Sequence, residues 1–146
     1  MKLSTKTRYG LRAMLYMAER YDGERALSVG EIAREQGVSE KYLEQLFTRL
    51  RRFGLINSIR GAQGGYLLGR PPEEITAASV VEVLEGGIVF ADCSGSEECD
   101  NRNTCPTRDL WERLKGSVDE ILGDTTLSDL LGPKSSEIAA EAVRKE

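Results

Sequence analysis

The chain has 146 residues, a length that suits one domain or a small domain with an appendage. This length is sufficient to bury a hydrophobic core without stabilising disulfides or metals. Its net charge of −4 is unevenly divided, because residues 1–70 carry 13 Lys/Arg against 7 Asp/Glu (net +6) and residues 71–146 carry 7 against 17 (net −10). A basic first half is typical of a phosphate-binding protein, although an uneven solvated surface is an alternative. Short apolar runs and a polar start predict no membrane span and no secretory signal, so a cytoplasmic protein is expected.

The first half of the chain is predicted to form three helices separated by cap and stop signals. Apolar residues at helical spacing indicate a first helix over residues 4–21. Ser28, with a glutamate three residues later, is a capping-box pattern that opens a short second helix ending at Gly37. Ser39 is the expected N-cap of a third helix, which ends at Gly54. The second and third helices match a helix-turn-helix, with an ordinary helical hairpin as the alternative.

A β-hairpin is predicted directly after the third helix. Residues 55–59 and 66–68 have the pattern of short strands, and the glycine-rich run 60–65 has that of a turn. A hairpin in this position forms the wing of a winged-helix domain, and its glycines allow the tip to approach a phosphate backbone closely. The predicted fold class is therefore mainly α with a small β-hairpin wing, and residues 1–75 are the predicted winged helix-turn-helix DNA-binding domain.

The second half is predicted to contain a capped helix, a cysteine loop and a long helix. Thr76 caps the first of these helices, which two glycines stop after residue 85. The loop covers about 89–105, and Thr104 and Pro106 are expected to open the long helix, which runs to 122. A short capped turn follows it. Residues 76–131 are thus a predicted cluster-binding and dimerisation unit, and residues 132–146 a flexible tail.

An apolar stripe runs along the predicted long helix, and no later helix is large enough to cover it. A second copy of the chain is expected to do so, which predicts a homodimer. The predicted interface residues are Leu110, Trp111, Leu114, Val118 and Ile121.

The third helix carries side chains suited to reading DNA, because an α-helix fits the major groove and its N-terminal residues meet the base edges. Serine and glutamine can hydrogen-bond bases, lysine can reach a guanine or a phosphate, and Glu44 can accept from a cytosine amino group while repelling misplaced phosphates. Tyr42 is as well suited to the core as to DNA. The predicted DNA-binding residues are Ser39, Lys41, Tyr42, Glu44, Gln45 and Arg49 on this helix, with Arg60 and Gln63 at the wing.

All three cysteines of the chain, Cys93, Cys99 and Cys105, lie in one polar segment with the spacing C-x5-C-x5-C. Thiolates favour zinc, copper(I) or iron–sulfur clusters. The spacing is longer than that of zinc knuckles and suits a cluster, which needs four ligands, whereas the chain has no histidine. A disulfide switch between two of the three thiols and three inert thiols are the alternatives.

Enzyme motifs are absent from the sequence: no nucleophile–base pair, P-loop or dinucleotide fingerprint is present. The glycines of the predicted wing lead from one strand into another, so they do not form a nucleotide-binding loop. The chain is therefore predicted not to be an enzyme, and a small iron–sulfur electron carrier is the alternative from another functional class.

Residues 1–131 resemble the iron–sulfur-sensing winged-helix regulators of the IscR and NsrR type, and the IscR type most closely. The resemblance rests on the opening MKLSTKTRYGLRAML, the recognition segment SEKYLEQLFTRLR, the wing IRGAQGGYLLGR and the three-cysteine loop. It implies a homodimeric bacterial transcription regulator that binds double-stranded DNA. It also implies a cluster, [2Fe–2S] by that resemblance, on Cys93, Cys99 and Cys105, and control of iron–sulfur assembly genes.

The sequence departs from that family pattern at the fourth ligand. IscR-like proteins have a histidine three residues after the last cysteine, where this chain has Arg108, and arginine does not lose its proton to bind iron. NsrR-like proteins use an aspartate of the partner's first helix, where this chain reads Thr7-Arg8-Tyr9. The fourth ligand is therefore open. The nearby oxygen donors are Asp92, Glu98, Asp100 and Asp109.

The resulting expectation is a DNA-binding regulator whose operator binding responds to an iron–sulfur cluster. Cluster binding is expected to order residues 89–105 and thereby change how the two recognition helices of a dimer are presented to half-sites about 34 Å apart. The main alternative is a cluster-free repressor of the same fold, controlled by thiol oxidation or by a protein partner.

Overall fold

A computed structural model describes residues 2–91, 99–101 and 103–133. In that part of the chain, six helices and a two-stranded antiparallel sheet follow one another. They are α1 (Thr5–Glu19), α2 (Val29–Gln36), α3 (Glu40–Arg52), β1 (Ile56–Ile59), β2 (Gly65–Leu68), a 3₁₀ helix (Pro72–Glu74), α4 (Ala77–Glu85), α5 (Arg108–Asp124) and α6 (Leu127–Leu131). No helix among the described residues is both long enough and apolar enough to cross a membrane.

The core is built around α1, which packs against α2, α3, α4 and α6. Its buried face carries Met14 and Met17, and α3 contributes Phe47, which is fully buried. One point of very close approach is Gly10, where an added Cβ would lie 2.1 Å from Leu84 Cδ1 of α4. A larger residue at position 10 would therefore require the buried Leu84 side chain to move.

The helix-turn-helix is fixed by caps at the predicted residues. Ser28 and Ser39 each accept a backbone N–H three residues later, and Gly37 ends α2 in the left-handed conformation. The predicted capping box at α2 forms only its Ser28 half. The Glu31 carboxylate instead accepts the hydroxyl of Tyr16 at 3.0 Å, because that tyrosine of α1 packs beside it.

The wing is the predicted hairpin, with Ile56 paired to Leu68 and Ile59 to Gly65. A third segment joins it, since Leu27 and Tyr66 exchange two backbone hydrogen bonds of 2.9 and 2.7 Å. Gly65 has φ +151°, and a Cβ there would lie 2.1 Å from the Leu27 carbonyl oxygen. Glycine is thus required at this position, because any side chain would push the wing off the strand-like residue before α2.

The helices after the wing return to the same core. Val80 and Leu84 of α4 and Leu127 of α6 belong to the hydrophobic cluster formed by α1 and α3. A backbone bridge between Thr76 and Thr126 ties the start of α4 to the start of α6. The division into residues 1–75 and 76–131 remains a prediction, and the shared core shows that the two segments pack as neighbours.

Helix α5 begins later than expected, at Arg108 rather than at Pro106. The preceding residues form a turn instead, in which the backbone N–H groups of Thr104 and Cys105 donate to the Asn101 carbonyl at 3.0 and 2.8 Å. The cap position predicted at Thr104 was therefore wrong, because Thr104 belongs to this turn and Thr107 precedes the helix, without a side-chain cap bond. Part of the predicted cysteine loop, residues 92–98, and the predicted tail from residue 134 onward lie outside the described residues.

Candidate nucleic-acid interface and cysteine segment

Helix α3 presents one apolar face to the core and one polar face to solvent. Leu43, Leu46, Phe47 and Leu50 are buried. Five of the predicted DNA-binding residues are exposed around its N-terminus and outer face, and these are Ser39, Lys41, Glu44, Gln45 and Arg49. The arrangement leaves the outer face free to enter a groove, because none of these side chains is used in packing.

Two further residues share that outer face and were missed by the sequence analysis. Thr48 and Arg52 are exposed and follow Glu44 and Gln45 at helical spacing of four and seven residues. The Thr48 hydroxyl donates to the Glu44 carbonyl oxygen at 2.8 Å. Helical spacing from Gln45 was the signal that could have identified both residues.

Tyr42 lies between the core and the surface. It is half-buried, packs against the core, and its ring meets that of Tyr9 edge-on with centroids 6.3 Å apart. The guanidinium of Arg12 lies 5.4 Å from the centroid of the Tyr9 ring. The first turn of the recognition helix is therefore supported by α1, and Tyr42 is a positioning contact whether or not it also touches DNA.

The wing tip carries the two remaining predicted contacts, Arg60 and Gln63, and both are exposed. Arg51, which is not among the predicted contacts, links the wing to the recognition helix. Its Nη1 donates to the hydroxyl oxygen of Ser58 on β1 at 3.3 Å. The wing and α3 thus form one surface whose relative placement depends on this side chain and on the buried end of β1.

The described part of the cysteine segment holds two half-buried free thiols, Cys99 and Cys105, while Cys93 lies outside the described residues. The Sγ atom of Cys105 lies 3.2 Å from the Thr107 hydroxyl. That hydroxyl, then the backbone around Thr107 and Arg108, holds the pKa of the Cys105 thiol below its usual value. A thiol that ionises easily is the form that binds soft metals.

The residue in place of the expected histidine is already engaged in a local contact. Arg108 is half-buried, and its Nε donates to the Glu112 carboxylate one helical turn later at 2.7 Å. The oxygen donors Asp100 and Asp109 are exposed. Within the described ranges, no three Cys, Asp or Glu side chains come together as a metal site.

Helix α5 has no buried residue, although it is the longest helix described. Leu110, Leu114 and Ile121 are 49, 38 and 65% exposed, whereas Trp111 and Val118 are half-buried. The predicted interface therefore divides into an exposed stripe and a second row that is already partly covered within one chain. An exposed apolar stripe of this length is typical of an interaction surface.

Comparisons with known proteins identify the family. Residues 3–133 match the Rrf2 family model, described as an iron-dependent transcriptional regulator. The chain belongs to the Rrf2 family. It is 46% identical over 130 residues to the HTH-type transcriptional regulator CymR of Bacillus subtilis (89% of each chain), and 39% identical over 131 residues to the regulator IscR of Sodalis glossinidius (90% of this chain, 79% of that one).

A solved structure gives the same result. The structure of CymR, the global cysteine regulator of B. subtilis, superposes with a TM-score of 0.76 at 45% identity, covering 89% of this chain and 95% of that one. The predicted winged-helix fold with a hairpin wing is therefore confirmed. The Rrf2 chain is a DNA-binding transcription regulator and not an enzyme, as the sequence predicted.

Proposed function

We propose that this Rrf2 protein is a homodimeric regulator whose operator binding responds to an iron–sulfur cluster held by Cys93, Cys99 and Cys105, and that it controls iron–sulfur assembly genes. The observation that carries the proposal is the gathering of every thiol of the chain into one segment between α4 and α5. Similarity to IscR supports it.

The donor set fits such a group in its chemistry. Cys99 and Cys105 are half-buried thiols, and the lowered pKa of Cys105 favours the thiolate that iron requires. A bound cluster would supply redox-sensitive iron that links thiolates distant in the sequence. Arg108 contributes no ligand, so we propose an oxygen donor such as Asp100 or Asp109 for the fourth position.

The DNA-binding step uses the polar face of α3 and the wing. Lys41 and Gln45 are proposed to contact base edges in the major groove, and Ser39 to contact bases or phosphates at the helix start. Glu44 is proposed to contribute sequence specificity, because a carboxylate near phosphates is tolerated only where it accepts a hydrogen bond from a base. Arg60 and Gln63 at the wing would meet the minor groove or its phosphates.

Dimerisation is proposed to occur through α5. Leu110, Leu114 and Ile121 form an exposed apolar row, and pairing with the same row of a second copy would remove it from water. Trp111 and Val118 flank that row. A two-fold dimer of this kind presents two recognition helices, so its operator should contain two half-sites about 34 Å apart.

A first experiment tests cluster binding and sensing together. Wild type, Cys93→Ala and the control Thr104→Ala are purified without oxygen, and their visible absorption, iron and sulfide contents are measured. Each is then titrated with DNA duplexes selected by the wild type from a random library. The proposal predicts a coloured wild type and control, a colourless Cys93→Ala, and different affinities of loaded and cluster-free protein for at least one duplex.

A second candidate function is a cluster-free Rrf2 regulator controlled by thiol oxidation or a protein partner. It is favoured by Arg108 at the expected ligand position and by the 46% identity to CymR, the global cysteine regulator of B. subtilis. A wild type that remains colourless and iron-free after reconstitution, yet loses DNA affinity on thiol oxidation, would establish this candidate and reject the cluster.

A further inference from the structure

The carboxylate of Glu85 joins the end of α4 to the start of α1. Its Oε2 atom accepts hydrogen bonds from the backbone N–H of Ser4 at 3.2 Å, from the Ser4 hydroxyl at 2.6 Å, and from the Thr7 hydroxyl. Thr7 is 1% exposed. Three donors from the first turn of one helix therefore converge on one oxygen of a residue about 80 positions away in the sequence.

This contact is stronger than an ordinary surface hydrogen bond. The acceptor is ionised, and it lies at the N-terminus of α1, where unpaired N–H groups favour negative charge. The hydrogen bonds from Ser4 and Thr7 lower the pKa of Glu85. The Ser4 hydroxyl also accepts the Thr7 backbone N–H, so the cap of α1 and its link to α4 depend on the same atom.

Glu85 also lies at the end of α4, just before the connection that leads to the cysteine segment. It is the last residue of α4, and Gly86 and Gly87 follow with φ of +79° and +100°. The residue immediately before it, Leu84, packs closely against Gly10 of α1. The last side-chain link to α1 before the two glycines is thus the Glu85 carboxylate.

Helix α1 continues from this contact to the DNA-binding surface. Tyr9, two residues after Thr7, meets Tyr42 of the recognition helix edge-on. A displacement at the end of α4 therefore has a continuous path of packed groups: Glu85, the first turn of α1, the Tyr9 ring, and the first turn of α3.

We propose that Glu85 is a positioning residue that transmits the state of the cysteine segment through α1 to the recognition helix. The inference rests on the proposed function, because it supplies the route by which that segment affects DNA affinity. Glu85 touches neither DNA nor the thiols in this role. Its contribution is a coupling free energy, measured as the ratio of the DNA affinities of the loaded and cluster-free forms.

The test compares Glu85→Gln with Glu82→Gln. Glu82 is an exposed carboxylate on the same helix, so its substitution removes the same charge without removing the link to α1. Affinities of loaded and cluster-free protein are measured on the duplex that the wild type distinguishes best. A wild-type ratio in the usual range of about 5–150 should fall towards one in Glu85→Gln and stay unchanged in Glu82→Gln.

A second readout needs no cluster. In cluster-free protein, amide hydrogen exchange should accelerate in Glu85→Gln at the first turn of α1 and also at the first turn of α3, around Tyr42, and not in Glu82→Gln. Acceleration confined to α1 would show a local structural role and overturn the inference. Should Glu85→Gln fail to fold, Thr7→Val removes one donor with little change of shape and is measured in the same way.

The outcomes separate this inference from the function on which it rests. A wild type whose two forms bind every duplex equally contradicts the proposed sensing function and the inference together. A wild type that discriminates, beside a Glu85→Gln variant with the same ratio, overturns the inference alone. Loss of discrimination with retained cluster and with altered exchange at α3 supports both.

Discussion

Replacing Gly65 by alanine should destabilise the protein more than the same change at Gly61, although both glycines have positive φ, +151° and +113°. Backbone strain of about 1–3 kcal/mol is common to both sites. The space around them differs. A Cβ at Gly65 would lie 2.1 Å from the Leu27 carbonyl oxygen, whereas nothing lies within 4 Å of a Cβ at Gly61.

The extra cost can be worked from the hydrogen bonds that the clash would break. Relief requires Leu27 and Tyr66 to separate, and they share two backbone hydrogen bonds of 2.9 and 2.7 Å. At about 0.5–1.5 kcal/mol each, their loss adds about 1–3 kcal/mol to Gly65→Ala. For a chain of this length, that is a Tm lower than that of Gly61→Ala by about 3–12 °C.

The assay is thermal unfolding followed by far-ultraviolet circular dichroism, without DNA so that wing contacts to phosphates do not contribute. Urea unfolding provides the free energy independently. DNA titration should then show weaker binding by Gly65→Ala, because the wing loses its attachment to the residue before α2. Equal destabilisation by the two alanines would refute the reasoning, since it would mean that the close approach to Leu27 contributes nothing.

Three further predictions concern α5, the thiols and acid stability. Leu114→Glu should shift the proposed dimer to monomer in analytical ultracentrifugation, whereas Arg113→Glu at the exposed neighbouring residue should not. If both variants remained dimeric, the interface would lie elsewhere. Thr107→Val removes the hydroxyl and should raise the pKa of Cys105. Alkylation of Cys105 at neutral pH, followed by peptide mass spectrometry, should then be slower than in the wild type. An unchanged rate would exclude that hydrogen bond. The pKa of Glu85 is lower in the folded protein, so its ionised carboxylate stabilises the fold above the unfolded pKa of about 4.3, and that stabilisation is lost as pH falls through the lower folded value. Glu85→Gln should therefore flatten the dependence of the unfolding free energy on pH in that acid range. A curve parallel to that of the wild type would contradict this prediction.

Local chemistry explains why most helix boundaries were predictable. Ser28, Ser39 and Thr76 each satisfy a backbone N–H three residues later, and Gly37 and Gly86 adopt the left-handed conformation that ends a helix. These interactions involve residues within one turn of each other, so they can be read from a short stretch of sequence. The polar outer face of α3 was predictable for the same reason, since helical spacing alone separates it from the buried leucines.

Several contacts that the sequence did not reveal join different elements of the fold. Glu31 was assigned to a capping box, yet its carboxylate accepts a hydrogen bond from the Tyr16 hydroxyl of α1. Arg51 was not among the predicted site residues, although its guanidinium donates to the Ser58 hydroxyl on the strand that folds back beside α3. The convergence of Ser4 and Thr7 on Glu85 spans about 80 residues, and no spacing rule relates them.

Such contacts between elements bear on how the proposed sensing function could be coupled to DNA binding in this chain. The connection that carries the cysteines follows Glu85, which is linked to α1, and the chain after α5 is tied to the start of α4 by the pairing of Thr126 with Thr76. The recognition helix packs on the same α1 through Tyr9 and Tyr42. Because packed cores tolerate discrete shifts rather than continuous deformation, a change in the cysteine segment should reach α3 as a small displacement of α1 and not as the swing of a separate domain.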